Sequence, residues 1–219
     1  MTYKPVDYNH LLGVKGFSDQ LLTDHFTLYK GYVENTNLLT ERLYKLAKDG
    51  KTDSPEYGEL SRRFGWEFNG MRLHEYYFSS MTKNRLALDQ SSNLYSILTK
   101  SFGSYENWEK NFKATGSLRG IGWTILYYEP IGDRVFNVWV NEHDLGHLAG
   151  ASPLLVMDVF EHAFIRDYGL NRADYIKAFF NVIDWATVVR RMNVASTQKM
   201  DLGAKGVEMA LIKAGVGSG

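Results

Sequence analysis

Trp123-Thr124-Ile125-Leu126-Tyr127-Tyr128 and Val135-Phe136-Asn137-Val138-Trp139-Val140, joined by Glu129-Pro130-Ile131-Gly132-Asp133, are two runs rich in β-branched and aromatic residues on either side of a turn. They predict two paired strands in a chain that begins as helix. Upstream, from Ser18 to about Lys48, apolar residues recur at helical spacing (Leu21, Leu22, Phe26, Tyr29, Tyr32, Val33, Leu38, Leu39, Leu43, Leu46). This predicts one long amphipathic helix, with Gly31 as the place for a kink. A turn-rich break at Lys48 to Pro55 precedes a second helical stretch from Glu56 to Met81, and two long helices on a short connection form an antiparallel hairpin. Short helices are expected at Leu94 to Lys100 and Tyr105 to Lys113, a third strand at Leu154 to Asp158, and further short helices to about Asn193. The predicted class is α+β: an N-terminal antiparallel helical hairpin packed on a C-terminal α/β domain with a three-stranded antiparallel sheet. Residues 1–86 and 87–195 are the expected domains, and 196–219 a loosely ordered tail with a weak amphipathic stretch from Leu202 to Val216.

Composition narrows the chemistry. The 219 residues carry 25 basic and 25 acidic side chains, so no overall field draws the chain to nucleic acid or to an anionic membrane surface. There is no cysteine, which removes disulfides, thiolate metal sites, iron–sulfur clusters and cysteine nucleophiles. A tightly held metal must therefore use His, Asp or Glu. No run reaches the roughly 18 apolar residues of a membrane span, and the opening Met1-Thr2-Tyr3-Lys4-Pro5 lacks a basic-then-apolar leader, so a cytoplasmic protein is expected.

The polar residues that stand out are few. Asp158 and His162 lie four apart, directly after the apolar run Pro153 to Met157, at the edge of a core. Burying both without a partner would cost several kcal/mol. A helix-capping Asp beside a solvated His is the plain alternative. Against it stand His25 on the first long helix and His74 on the second, which a hairpin brings face to face. Three imidazoles and one carboxylate suit iron or manganese, and zinc on ligand chemistry alone.

These residues sit in segments that resemble the iron/manganese superoxide dismutases. Asp158-Val159-Phe160-Glu161-His162-Ala163-Phe164, followed by Asp167-Tyr168-Gly169-Leu170-Asn171-Arg172, is similar to the family's C-terminal signature. So are Gly120-Ile121-Gly122-Trp123, Asn141-Glu142-His143-Asp144 and Asn69-Gly70-Met71-Arg72-Leu73-His74, in family order, over about residues 17 to 193. The resemblance implies a helical hairpin on a three-stranded α/β domain with the metal between them. It implies His25, His74, Asp158 and His162 as ligands of one iron or manganese ion per subunit, with a lean towards iron. Tyr32 takes the place of the gateway tyrosine, Trp123 that of a pocket tryptophan, and His143 that of the manganese-type glutamine bonded to solvent. Glu161 takes the place of the interface glutamate that reaches the partner's ligand histidine, and Arg172 that of an arginine at the substrate funnel, with Lys30 a further source of attraction. The implied activity is dismutation of superoxide by a homodimer or tetramer.

The departures from the family pattern carry expectations of their own. His25 precedes Tyr32 by seven residues where eight is usual, so the first helix should lack a one-residue π-bulge. The usual second-shell His is Leu28 and its tyrosine partner across the interface is Ile165, so an apolar contact replaces a hydrogen bond. The second pocket tryptophan is Ile125, and the tryptophan after the ligand aspartate is Phe160. Gly70 stands where iron-type members place a glutamine, so the solvent partner should come from the strand side. Two other readings stand beside this one. Four protein ligands in an aromatic wall argue against an oxygenase or hydrolase, which needs open positions. A non-catalytic metal-binding structural dimer of the same fold is the other.

Overall fold

The computed structural model describes residues 2–198, so the expectation for the tail beyond them lies outside the described residues. Helix α1 (Asp19–Lys48) starts where Ser18 accepts the N–H of Leu21 and runs without a break through Gly31. Helix α2 (Pro55–Phe78) starts in the same way, with Ser54 accepting from Tyr57 and Pro55 in the first turn, where its missing N–H costs nothing. Helix α3 (Asn93–Phe102) and helix α4 (Tyr105–Gly116) are capped by Ser92 and Ser104. Serine at all four N-caps satisfies amide donors that a helix leaves open.

Helix α2 ends at Phe78, three residues before the expected Met81. Its last turn closes on the amides of Ser79, Ser80 and Met81, and the Arg191 guanidinium adds bonds to the Tyr76 carbonyl (3.2 Å) and to Ser79 Oγ (2.6 Å). The chain then pairs with the C-terminal half instead, Thr82 N donating to Val182 O and Asp184 N to Ser80 O.

Strands β1 (Gly122–Glu129), β2 (Arg134–Asn141) and β3 (Ser152–Asp158) form the expected three-stranded antiparallel sheet, and the structure sets their order as β2-β1-β3. Central β1 is buried from Gly122 to Tyr128, and β3 from Leu154 to Asp158, which accounts for their continuous apolar character. The register sets Trp123 opposite Asp158, so the pocket tryptophan and the candidate carboxylate leave the sheet at the same end. Short helices close the chain: α5 (Ile165–Tyr168), α6 (Arg172–Phe180) and α7 (Trp185–Thr197), the last running past the expected Asn193.

Candidate metal centre

Four side chains from four separate segments meet between the hairpin and the sheet. His25 comes from α1, His74 from α2, Asp158 from the end of β3 and His162 from the short turn Glu161–Ala163. One ligand atom from each lies within 4.8 Å of every other. Asp158 Oδ2 is the focus: Nε2 of His25 and of His162 are each 3.2 Å from it, and Nε2 of His74 is 3.7 Å away. Donors about 2.1 Å from one ion and 90–120° apart would lie about 3.0–3.6 Å from one another, so this spacing suits a shared cation.

Local structure orients each group. Asp158 Oδ1 accepts the Phe160 N–H at 2.8 Å, leaving Oδ2 to face the imidazoles. The Asp158 carbonyl accepts from Tyr175 Oη at 2.6 Å. His74 Nδ1 is 2.6 Å from the Gly70 carbonyl, which can only accept, so Nδ1 carries the proton and Nε2 presents a lone pair. That Nε2 is buried with no hydrogen-bond partner, as a metal ligand would be. His25, His74 and Asp158 are fully enclosed, whereas His162 is part-exposed. The helix-cap reading accounts for Asp158 Oδ1 alone and leaves the buried His74 Nε2 without a partner.

Electrostatics agree with this donor set. Burial drives the His25 and His74 imidazoles below their ordinary range, against the opposing pull of Asp158, so both are neutral and able to ligate. Burial pushes the Asp158 carboxyl up, but the imidazoles of His162 and His25 together outweigh it and hold it well below the usual carboxylate range. Asp158 is therefore a negative charge set beside the buried His25 and His74. Three imidazoles and one carboxylate fit a first-row divalent or trivalent ion.

A hydrogen-bonded chain flanks the cluster. Trp123 Nε1 donates to His143 Nδ1 at 3.0 Å, and His143 Nε2 lies 2.8 Å from Tyr32 Oη. An indole N–H only donates, so His143 Nδ1 accepts, the ring proton sits on Nε2, and Nε2 donates to Tyr32. Burial lowers His143 to about 4 and raises Tyr32 to about 12, so both keep these protonation states across neutral pH. The Tyr32 ring stacks on His74 with centroids 5.3 Å apart, which sets its hydroxyl beside the cluster. Helix α1 is α-helical throughout His25 to Tyr32, as the seven-residue spacing leads one to expect.

The pocket wall includes residues that sequence reading did not single out. Trp66 stands edge-on to His143 at 4.9 Å, and nothing in its local sequence marks it. Phe160 stacks on both His143 (4.8 Å) and His162 (5.1 Å), filling the place the resemblance gives to a tryptophan. Glu161 is exposed beside His162. Arg172 donates to the carbonyls of Leu118 and Gly120 at 2.7 and 2.8 Å and lies over the Phe164 ring, so it braces the segment that leads into β1.

The family model for iron/manganese superoxide dismutases, C-terminal domain, matches residues 90–191. A manganese superoxide dismutase of Haloarcula marismortui is 35% identical over 83% of this chain and 87% of its own length. The chain belongs to the iron/manganese superoxide dismutase family. Another relative in that family, the iron superoxide dismutase of Pyrobaculum aerophilum, is 31% identical over 78% of this chain and 81% of its own length. A third, an iron superoxide dismutase of Saccharolobus solfataricus, is 31% identical over 75% of this chain and 79% of its own. Among the described residues no helix is long and apolar enough to cross a membrane.

Proposed function

We propose that this family member converts two superoxide radicals and two protons to oxygen and hydrogen peroxide, using one iron or manganese ion per subunit held by His25, His74, Asp158 and His162. The observation that carries the reading is the convergence of three imidazole Nε2 atoms on Asp158 Oδ2, with His74 Nε2 otherwise unpartnered in a buried site. Bound by these four residues, iron or manganese would supply the one-electron redox chemistry that dismutation needs. The protein's own part is to hold charge and deliver protons. Asp158 stays ionised and would offset part of the positive charge of a bound ion. His143 Nε2–H donates to Tyr32 Oη, so the Tyr32 hydroxyl proton is left to point at a reduced oxygen species or at solvent. Trp123 holds the His143 ring in the tautomer that makes this possible.

His143 is the group on which metal preference turns, because it occupies the outer-sphere place from the strand side. Relatives named for manganese and for iron are similarly distant, at 35% and 31% identity, and we infer that the site accepts either metal. The substrate is a small anion, and with 25 basic against 25 acidic residues its attraction must be local; Arg172, which the family resemblance sets at the substrate funnel, is the proposed source. We further propose a cytoplasmic homodimer, or a tetramer built from two such dimers, in which exposed Glu161 meets the partner's His162. In this reading residues 1–86 and 87–195 are two domains with the metal at their seam.

The test is superoxide turnover by metal-free protein reloaded separately with iron and with manganese, with metal content measured on each sample. Turnover with either metal is the expected result. Full loading without turnover would leave only a metal-binding structural dimer.

A further inference from the structure

His147 has no part in the mechanism above, yet both of its ring nitrogens are engaged. Its Nε2 lies 2.8 Å from the backbone carbonyl of His143, and its Nδ1 lies 2.7 Å from Tyr127 Oη. A carbonyl can only accept, so Nε2 carries the proton, and in the neutral ring Nδ1 then accepts from the tyrosine hydroxyl. The result is a one-directional chain, Tyr127 Oη–H to His147 and His147 Nε2–H to the His143 carbonyl. Tyr127 is a firm origin for it. The residue lies on central β1 between Phe136 and Pro153, is buried, and keeps its phenol protonated because burial raises its pKa.

The segment that carries His143 needs such a tie. It leaves β2 at Asn141, passes through Glu142 at a φ of 53°, closes by paired hydrogen bonds between Asn141 and Leu145, and turns again at Gly146 with a φ of 101°. A non-glycine residue in the left-handed region is held by its surroundings rather than by its own preference. His143 must nevertheless keep its ring within hydrogen-bond reach of Trp123 on β1 and Tyr32 on α1 at once. A small rotation of its peptide plane would break one of the two bonds.

We propose that His147, anchored by Tyr127, is a positioning residue for His143: it holds the His143 backbone in the orientation from which the imidazole bridges Trp123 and Tyr32. The functional half of this proposal rests on His143 acting in superoxide turnover. The positional half does not.

The experiment uses the full chain. Loaded with zinc, which is diamagnetic and cannot cycle, it allows exchange of the Trp123 indole N–H with solvent to be followed by NMR, with Trp123→Phe identifying the signal. Loaded with iron or manganese, it gives kcat, KM and metal content. His147→Phe removes both bonds, and His147→Gln keeps an N–H donor at the far end of the side chain. Tyr127→Phe removes the anchor while leaving the bond to the carbonyl. We expect His147→Phe to speed Trp123 indole exchange about tenfold or more and to lower kcat by a similar factor with metal content unchanged, while His147→Gln stays within about threefold of the parent on both. Tyr127→Phe should fall between them. The proposal is overturned if His147→Phe lowers only the melting temperature and leaves indole exchange and kcat at parent values, or if His147→Gln is as impaired as His147→Phe. Should His147→Phe not fold, Tyr127→Phe and His147→Gln decide by the same two readouts. A parent protein without turnover, whose indole exchange still responds to these substitutions, would reject the dismutase reading and not the positional one.

Discussion

The ring of Tyr32 fills the space that any side chain at Gly70 would need: a Cβ built on Gly70 lies 2.5 Å from Cδ1 and 2.7 Å from Cε1 of that ring. The glutamine that the family resemblance assigns to iron-type members at this point therefore cannot coexist with Tyr32 as placed here. An outer-sphere donor has to come from the sheet side, and His143 is the residue found there, 2.8 Å from Tyr32 Oη. Gly70→Ala should show this crowding. Alanine in mid-helix gains about 1 kcal/mol over glycine, while pressing a methyl into a ring tethered at its hydroxyl costs about 1–3 kcal/mol. We expect a net loss of about 1 kcal/mol and reduced turnover at unchanged metal content, checked by thermal unfolding and kinetics. A raised melting temperature with full activity would mean that the ring moves aside freely.

Asp158→Asn replaces the only anion among the four converging groups with a neutral amide of the same shape. His25 and His162 lose a charged partner, and a bound cation loses its neutralising ligand. Metal content after dialysis against a weak chelator should drop at least about tenfold, since even outer-shell substitutions cost 10–100-fold in affinity. Retention of a full complement of metal would remove Asp158 from the ligand set.

Tyr32→Phe leaves the His143 Nε2–H without an acceptor in a buried site, which costs about 1–3 kcal/mol of stability. It also removes the hydroxyl proposed to deliver protons, and turnover should fall by about tenfold to a hundredfold while the metal stays bound. Trp123→Phe frees His143 Nδ1, allowing the proton to move to that nitrogen, and a smaller fall is expected. Steady-state rates and metal analysis on the two variants decide. Equal rates for Tyr32→Phe and the parent would exclude the hydroxyl as a proton source.

Stability of the metal-free protein should fall on both sides of neutrality. Burial lowers His143 from 6.5 to about 4, so between these values the unfolded chain binds a proton that the folded one refuses, and stability declines as pH falls through that window. His25 and His74 shift in the same direction. At the other end, burial raises Tyr29 and Tyr32 from 10.0 to about 12, so the unfolded chain gives up protons first and stability declines as pH rises from about 10 to about 12. Melting temperatures of metal-free protein from pH 4 to 11 should trace a plateau between about 7 and 9.5 with a fall on each side. A flat profile from pH 4 to 6.5 would show that these imidazoles titrate as if exposed.

The elements of this fold were legible in the residues themselves, because each rests on local periodicity and capping. The 3.6-residue spacing of Leu21, Leu22, Phe26, Tyr29 and Val33 and the turn chemistry of Lys48 to Pro55 suffice for the hairpin, and the β-branched runs around Glu129-Pro130-Ile131-Gly132-Asp133 suffice for two strands. The absence of cysteine and the presence of only six histidines narrowed the donor set to residues that do converge. What needed the folded molecule is everything that depends on long-range register. The end of α2 at Phe78 is braced by Arg191, more than a hundred residues away. The proton on His143 is assigned by Trp123 from one strand and Tyr32 from the first helix, and the tie from His147 by Tyr127 on the central strand. Helix and strand come from interactions within a few residues of the chain. Tautomers, stacking partners and ring-filled gaps come from which faces meet when those elements pack, and sequence spacing carries no record of that.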